Sequence, residues 1–356
     1  MPDRKLARAR LVAGGLVDAT WASPVEAVRA FGVMQGQDLP GVMASAALRS
    51  TGSVADVIEA MNADALVRGY PMRGTVFLST ARDLRWITEL CVGRSLADAK
   101  RRLERHDGLT PADIRRLEER VREVASGEGI SRQGFMELMT QEGLSPRDGR
   151  GYHCIFHLIA EGVLCYGRWN GVDQQLMLAD EVLGGGIEEQ YNGDEVAATA
   201  QLAASYFRTH GPATVRDFAW WCKLPLTKIR AALPLLPDDV EPLGDETYAS
   251  AQLPDSLSRL EHQVSKPLLL PGFDEYILGY PDRLFAMDQA THDALVPGNN
   301  GVFRKAVVVD GVVRAFWTRG GRVGRRSLEL TELAGIPKRA EAGVRRRFAE
   351  YPFVQA

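Results

Sequence analysis

Cysteine is scarce: the 356 residues hold four, Cys91, Cys154, Cys165 and Cys222, far apart and without a C-x-x-C pair. That spacing suggests neither a disulfide framework nor a zinc ribbon, and a reducing cytoplasm is the expected compartment. Long apolar runs are missing as well. Nothing approaches the roughly 18 consecutive apolar residues that cross a bilayer, which excludes a transmembrane role. The basic start, Arg4, Lys5, Arg8 and Arg10, leads into an apolar stretch that Asp18 interrupts and that lacks a small-residue cleavage pattern, so no signal peptide is expected. Charge of one sign is not in excess: Lys and Arg total 43 against 46 Asp and Glu, a net charge of −3, which neither names nor excludes a polyanionic partner. Also missing are a G-x-S-x-G elbow, a G-x-x-x-x-G-K-[ST] phosphate loop and an H-E-x-x-H zinc motif. Of six histidines, only His153 and His157 stand at helical spacing. No third ligand is near, and Cys154-Ile155-Phe156 between them reads as a packing face, so neither a metal nor a cofactor is expected. Gly184-Gly185-Gly186 reads as a hinge, since no strand and helix flank it as in a phosphate cradle.

What is present is a chain long enough for two or three globular units at about 150 residues each. Its charge is unevenly placed. Between Leu236 and His262, seven acidic residues face Arg259 alone, which reads as a solvated connection. Between Gly301 and Arg326 the balance reverses, with Arg304, Lys305, Arg314, Arg319, Arg322, Arg325 and Arg326 against Asp310 alone. A local basic surface inside an acidic protein points to phosphate binding, with a solvated arginine-rich loop as the simpler alternative.

Three segments share one order of elements, two helices and then a short strand pair. In the third, a helix over 197–210 is stopped by Gly211-Pro212, Thr214 caps a helix through Cys222, and Thr227 caps another over 228–235. In the second, Ser131 caps a helix over 132–141, a helix over 151–160 follows, and strands over 164–168 and 174–178 flank Asn170-Gly171, a hairpin turn. In the first, a helix over 42–49 and one over 54–61 capped by Ser53 precede strands over 66–70 and 75–78. Strands over 307–309 and 312–317 flank Asp310-Gly311, strand 327–330 follows, and a basic helix over 337–351 closes the chain. The expected class is α+β: tandem winged-helix, or helix-turn-helix, units with a small β-rich C-terminal module. The expected divisions are 1–80 for an N-terminal helix, a glutamine loop and the first winged helix, then 81–130 for a helical spacer. The second winged helix takes 131–185, the third 186–255, and the β-rich module with its terminal helix 256–356.

Gln35-Gly36-Gln37-Asp38 sits at the mouth of the first unit. In an extended segment, residues two apart face the same side. Two amides held together can bind one water or one base edge through several hydrogen bonds. From spacing alone, the simpler reading is that they satisfy buried backbone in a loop.

The sequence resembles the AlkZ-like winged-helix DNA glycosylases over nearly its whole length. The resemblance rests on Gln35-Gly36-Gln37-Asp38, on Tyr70-Pro71-Met72-Arg73-Gly74-Thr75, and on His210-Gly211-Pro212-Ala213-Thr214 leading to Asp217-Phe218-Ala219-Trp220-Trp221. It rests further on Leu270-Pro271-Gly272-Phe273-Asp274-Glu275-Tyr276 with Leu278-Gly279-Tyr280 and Asp282-Arg283, and on Asn300-Gly301-Val302-Phe303-Arg304. It implies a C-shaped stack of three winged helices and removal of alkylated purines from DNA, with some members unhooking interstrand crosslinks. It also implies that Gln35 and Gln37 are the catalytic pair. Gly36 departs from the aliphatic residue usual between them, and a glycine there is expected to loosen the backbone that holds the amides.

Glutamine has no useful pKa and makes a poor general base. A purine alkylated at N7 or N3, however, is cationic and leaves as a neutral base, so the site has only to position water and stabilise an oxocarbenium-like sugar. A monofunctional glycosylase that leaves an abasic site without cutting the strand is expected. Its partner is double-stranded DNA containing alkylated purines, and a cytoplasmic, nucleoid-associated monomer is expected. Candidate DNA contacts are Arg49, Arg68, Arg73, Arg304, Arg319, Arg322, Arg325 and Arg326, the last four on a glycine-rich hairpin tip. Two rival readings remain: a winged-helix transcription regulator without catalytic activity, and a protein that sequesters an alkylating metabolite, for which Trp220 and Trp221 are potential lining residues. The two tryptophans themselves read as core of the third unit.

Overall fold

A computed structural model describes residues 2–299, 301–322 and 325–354. The chain begins with α1 (Arg4–Ala13) and α2 (Pro24–Phe31), a three-residue strand β1 (Val33–Gln35), helices α3 (Leu39–Leu48) and α4 (Val54–Asn62), and the hairpin β2 (Leu66–Met72) and β3 (Thr75–Thr80). Ser53 closes a full capping box with Asp56, which fixes where α4 starts. The two hairpin residues Arg73 and Gly74 both take positive φ, at 57° and 68°, the geometry of a tight two-residue turn.

Helices α5 (Ala81–Cys91), α6 (Gly93–Arg105) and α7 (Pro111–Val124) lead to α8 (Arg132–Gln141), α9 (Arg150–Ala160) and the hairpin β4 (Leu164–Trp169) and β5 (Gln174–Leu178). Leu103 of α6 and Leu117 and Val121 of α7 share one core with Phe135, Ile155 and Leu176. Two short helices, α10 (Ala179–Val182) and α11 (Ile187–Tyr191), precede α12 (Glu195–His210), the two-residue strand β6 (Ala213–Thr214), α13 (Val215–Cys222), α14 (Leu226–Ala232) and the hairpin β7 (Val240–Gly244) and β8 (Thr247–Ser250). Helix α12 is apolar on most of its circumference and runs through the largest core, where Leu202, Tyr206 and Phe207 are fully buried.

One order of elements recurs three times: helix, short strand, helix, helix, hairpin. The short strand pairs with the second hairpin strand each time, as β1 on β3, as the single bridge of Ile130 to Leu176 on β5, and as β6 on β8. The first two units are joined edge to edge, because Arg68 of β2 pairs with Tyr166 of β4 in one five-stranded antiparallel sheet, ordered β1-β3-β2-β4-β5.

The acidic stretch is not a connection. It contains β7, β8 and α15 (Leu253–Arg259), with Asp245 and Glu246 at positive φ in the hairpin turn. Its carboxylates answer arginines on the helices beneath: Arg208 bonds Asp239 at 2.5 and 2.8 Å, and Arg230 bonds Glu246 at 2.7 and 3.0 Å. Strand β7 is exposed after its first residue, so no alternation marked it. Thr227 caps nothing. Helix α14 starts at Leu226 after Pro225 and gives way to a 3-10 turn, Leu233–Leu235, where Pro234 supplies no N–H.

The C-terminal part holds β9 (Leu268–Leu269), α16 (Glu275–Leu278), α17 (Gln289–Leu295), β10 (Ala306–Val309), β11 (Val312–Gly320), β12 (Ser327–Glu332) and α18 (Lys338–Ala349). Its four strands form one antiparallel sheet, ordered β12-β11-β10-β9, turned at Asp310-Gly311. The chain is thus mixed α and β with small antiparallel sheets, and among the described residues no helix is long and apolar enough to cross a membrane.

Candidate active site

Strand β1 places the glutamines. Gln35 is its last residue, opposite Phe77 of β3, and is 4% exposed, whereas Gln37 is exposed. Simple alternation predicts two amides aimed to one side; the Gln35 amide is engaged within the loop and its hairpin. The Gln35 side-chain oxygen turns back to accept the N–H of Gly36 at 3.0 Å and of Gln37 at 3.3 Å, and its Nε2 donates to Thr75 Oγ1 at 3.2 Å. Gln35 therefore holds buried backbone in a loop, while the Gln37 amide has no partner among the described residues.

Gly36 is not loose either. Its N–H donates to Val76 O at 2.8 Å, and its carbonyl accepts from Arg68 Nη1 at 2.8 Å. A Cβ there would lie 2.9 Å from Leu78 N and 3.1 Å from the Phe77 carbonyl carbon. Close approach of β3 demands glycine here, and the backbone bonds remove the freedom glycine would otherwise bring.

Behind the loop lies a buried polar network. Glu275, 3% exposed at the start of α16, accepts the Gln35 N–H at 2.6 Å with one oxygen. Its other oxygen receives Trp221 Nε1 at 3.2 Å and faces His210 Nε2 at 3.3 Å. His210 stacks on Tyr206 at 4.3 Å, and burial pushes its pKa down despite the bond to Glu275. Asp274, the preceding residue, takes a two-pronged pair from Arg49 at 2.8 Å on each oxygen and a 2.7 Å bond from Ser45 Oγ. Burial raises the Asp274 carboxyl, but Arg49, Ser45 and the Tyr276 N–H outweigh it and hold the group below the usual range. Asp274 and Glu275 thus tie the C-terminal part to α3 and β1 respectively.

In front of the loop is a cleft of about 510 Å³. The first unit contributes Gln37, Tyr70, Arg73 and Thr75, α6 contributes Ser95 and Arg102, and α9 contributes His153 and Phe156. Tyr70 meets Phe156 edge to face at 4.6 Å, giving the cleft an aromatic wall. His153 Nδ1 is bound to the buried Asp107 at 2.8 Å, while His157 is buried on the same helix. Among the described residues no three His, Cys, Asp or Glu side chains gather as a ligand set.

The expected DNA contacts separate into two groups. Arg49 is fully buried on Asp274, and Arg68 is buried between the Gly36 carbonyl and Gln174, so both support the loop from within. A buried guanidinium whose donors are spent inside the protein is not placed to meet a phosphate, which corrects the reading for these two. Burial brings Arg68 down to about 10, still charged at neutral pH. Arg73 lines the cleft, and Arg304 is exposed over the Phe316 ring at 4.5 Å. Arg319 is exposed at the root of the β11–β12 hairpin, 4.0 Å over Phe353, and Arg322, Arg325 and Arg326 are exposed in its turn. Val323 and Gly324 of that tip, and Asn300 of the Asn300–Arg304 motif, lie outside the described residues.

Sequence reasoning gave no role to Glu275, His210 or Thr75, nor to Lys223 and Arg283 beside Trp220. The signal for the first was legible: Asp274-Glu275 interrupts the otherwise apolar run 268–280, and a buried acid must be paired. Trp221 is core, as expected, but Trp220 is partly exposed.

The model of the family described as DNA glycosylase AlkZ-like matches residues 28–352. A relative named interstrand DNA cross-link repair glycosylase, from Streptomyces sahachiroi, is 25% identical over 264 residues, which is 71% of this chain and 70% of that protein. The solved structure of Streptomyces sahachiroi DNA glycosylase AlkZ is similar in fold, with a TM-score of 0.75 at 20% identity over 99% of this chain and 96% of that one. This chain belongs to the AlkZ-like family of DNA glycosylases, enzymes that hydrolyse N-glycosyl bonds.

Proposed function

We propose that the protein hydrolyses the N-glycosidic bond of cationic purines alkylated at N7 or N3 in duplex DNA, leaving an intact strand with an abasic site. The observation that carries the proposal is the division of labour between the glutamines: Gln37 presents a free amide at the cleft, while Gln35 spends its own on the loop that aims it. In this reading Gln37 orients the attacking water and its dipole faces the sugar as positive charge develops; once its oxygen is bonded to the sugar carbon, the water releases its extra proton to solvent, and no titrating base is needed. Gln35 acts alongside it, fixing the N–H groups of the loop. The departing base takes the bond electrons and becomes neutral, so it needs no strong acid. Interstrand crosslinks, the substrate in the relative's name, are a natural extension, since the cleft is open enough for a purine that carries a second group.

The three helix–strand–helix–helix–hairpin units are, in this reading, tandem winged helices that grip the duplex in a C-shaped arrangement. Membership in the glycosylase family weighs against the transcription-regulator reading. The test is incubation with a duplex carrying one N7-methylguanine, analysed for free base and for strand breaks before and after alkali. Free 7-methylguanine with breaks only after alkali supports the reading; binding without base release contradicts it.

A further inference from the structure

Trp220, at the C-terminal end of α13, is ringed by cations from three separate parts of the fold. Arg73 of the first hairpin turn lies 5.0 Å from its ring centre, Lys223 of the α13–α14 turn 5.1 Å, and Arg283 of the segment after α16 5.7 Å. None of the three has a carboxylate within ion-pair distance among the described residues, although Glu275 and Asp282 exert a longer-range attraction on Arg73 and Arg283. Arg73 Nη1 is buried with no hydrogen-bond partner. All three are pulled toward the neutral form by burial, and the charge of Arg73 adds to this at both Lys223 and Arg283, with Arg94 adding to the field at Lys223. Attraction to Glu275 and Asp282 offsets this only in part.

Like charges crowded without counter-ions are unfavourable, and their common relief is an anion. The aromatic ring holds them in place through cation–π contact, so the site is built before a ligand arrives. Arg73 also lines the cleft that holds Gln37. We propose that Arg73, Lys223 and Arg283, seated about Trp220, form a phosphate site that takes one phosphodiester of the lesion-bearing strand and sets its register against Gln37. The proposal rests on the glycosylase reading of that cleft. The three are positioning residues: they hold the strand and leave the reacting bond to the glutamine loop. A guanidinium pair and an ammonium match a phosphate better than a single carboxylate, because they offer donors to several oxygens at once.

The test measures affinity for a duplex containing a stable abasic-site analogue across a KCl series, so that no bond needs to break. Lys223→Gln and Arg283→Gln are each expected to lower the slope of log affinity against log salt by about 0.9, one phosphate contact. Arg259→Gln, an exposed residue paired with Asp18 far along the chain, keeps the wild-type slope. Without DNA, Lys223→Gln is expected to melt no lower than wild type, because a like charge is relieved; a residue of merely structural value would melt lower. Wild-type slopes in both variants overturn the proposal. So does a gain in melting temperature from inorganic phosphate that the variants lose while their DNA slopes stay unchanged, since the site then takes free phosphate alone. Absence of base release from an alkylated duplex defeats the glycosylase reading separately, whatever the slopes.

Discussion

At the scale of single residues, the Gln35–Gln37 loop is held by atoms that a sequence pattern cannot weigh. Gln35 accepts two N–H groups with one oxygen, and Gln35→Ala leaves the part-buried Gln37 N–H unmet while the Gly36 N–H keeps its bond to Val76 O. It is expected to cost about 1–3 kcal/mol of stability and to slow base release, checked by urea unfolding beside single-turnover kinetics. Gly36 touches the β3 backbone closely enough that even a methyl group must displace it. Gly36→Ala is expected to destabilise by roughly 1–3 kcal/mol, read as a lower unfolding midpoint with an unchanged m value. An unaltered midpoint would show that the loop is not in contact with β3. The segment Gln35-Gly36-Gln37 was legible as a unit, but spacing alone favoured both amides satisfying buried backbone, and Gln35 does so while the Gln37 amide has no partner among the described residues. The side-chain torsion that folds Gln35 back on its own loop leaves no trace in sequence, so the division between them was not legible.

At the scale of elements, the site hangs on α16, a single turn whose N-cap and first residue, Asp274 and Glu275, are buried acids. Asp274 pairs with Arg49 of the α3 C-cap, and Arg49→Met strands a buried carboxylate, expected to cost about 3–5 kcal/mol. Thermal melting of Arg49→Met beside the double variant Arg49→Met with Asp274→Leu checks this. The double variant is expected to recover much of the loss, because no charge is then left unpaired. Acid sensitivity follows from two groups with the same sign. The folded pKa of His210 lies below its ordinary 6.5 because of burial. As pH falls through that value, the unfolded chain takes up a proton that the folded chain refuses, and stability drops. Asp274, held below its usual range, adds a further loss as pH falls below about 4. Urea midpoints measured from pH 8 downward are expected to decline already just below 6.5, with a shallower early decline in His210→Gln. A flat profile down to the carboxylate range would contradict the buried neutral histidine.

At the scale of the whole molecule, repetition was legible and joining was not. Helices with strong caps, such as α4 behind Ser53 and α8 behind Ser131, and hairpins with tight turns, such as Asn170-Gly171 and Asp310-Gly311, stand where the sequence places them. Local signals decide those elements, because caps and positive-φ turns are short-range physics. The third hairpin escaped because its first strand faces solvent and its acids pair with arginines 16 and 31 residues away. The short strands β1 and β6, two or three residues long, gain their identity only from the strand they pair with. Long-range contacts likewise turned Arg49 and Arg68 from surface candidates into buried supports. On the outer face, Arg322 and Arg325 in the β11–β12 turn are exposed and among the described residues have no acidic partner. Their joint change to Gln is expected to lower the salt slope of DNA binding by about 1.8, two phosphates, while leaving the unfolding midpoint unchanged. A binding isotherm at several salt concentrations beside urea unfolding checks both halves.

The role proposed for Gln37 is that of a single uncharged side chain that orients the hydrolytic water on a loop fixed by Gln35. It is tested most directly by single-turnover release of 7-methylguanine from duplex DNA by wild type and Gln37→Ala, with affinity for an abasic duplex measured in parallel. The expected result is a rate loss on the order of 10²-fold or more with melting temperature and DNA affinity unchanged, because the Gln37 amide has no partner among the described residues. A Gln37→Ala protein that folds, binds and releases base at the wild-type rate would contradict it.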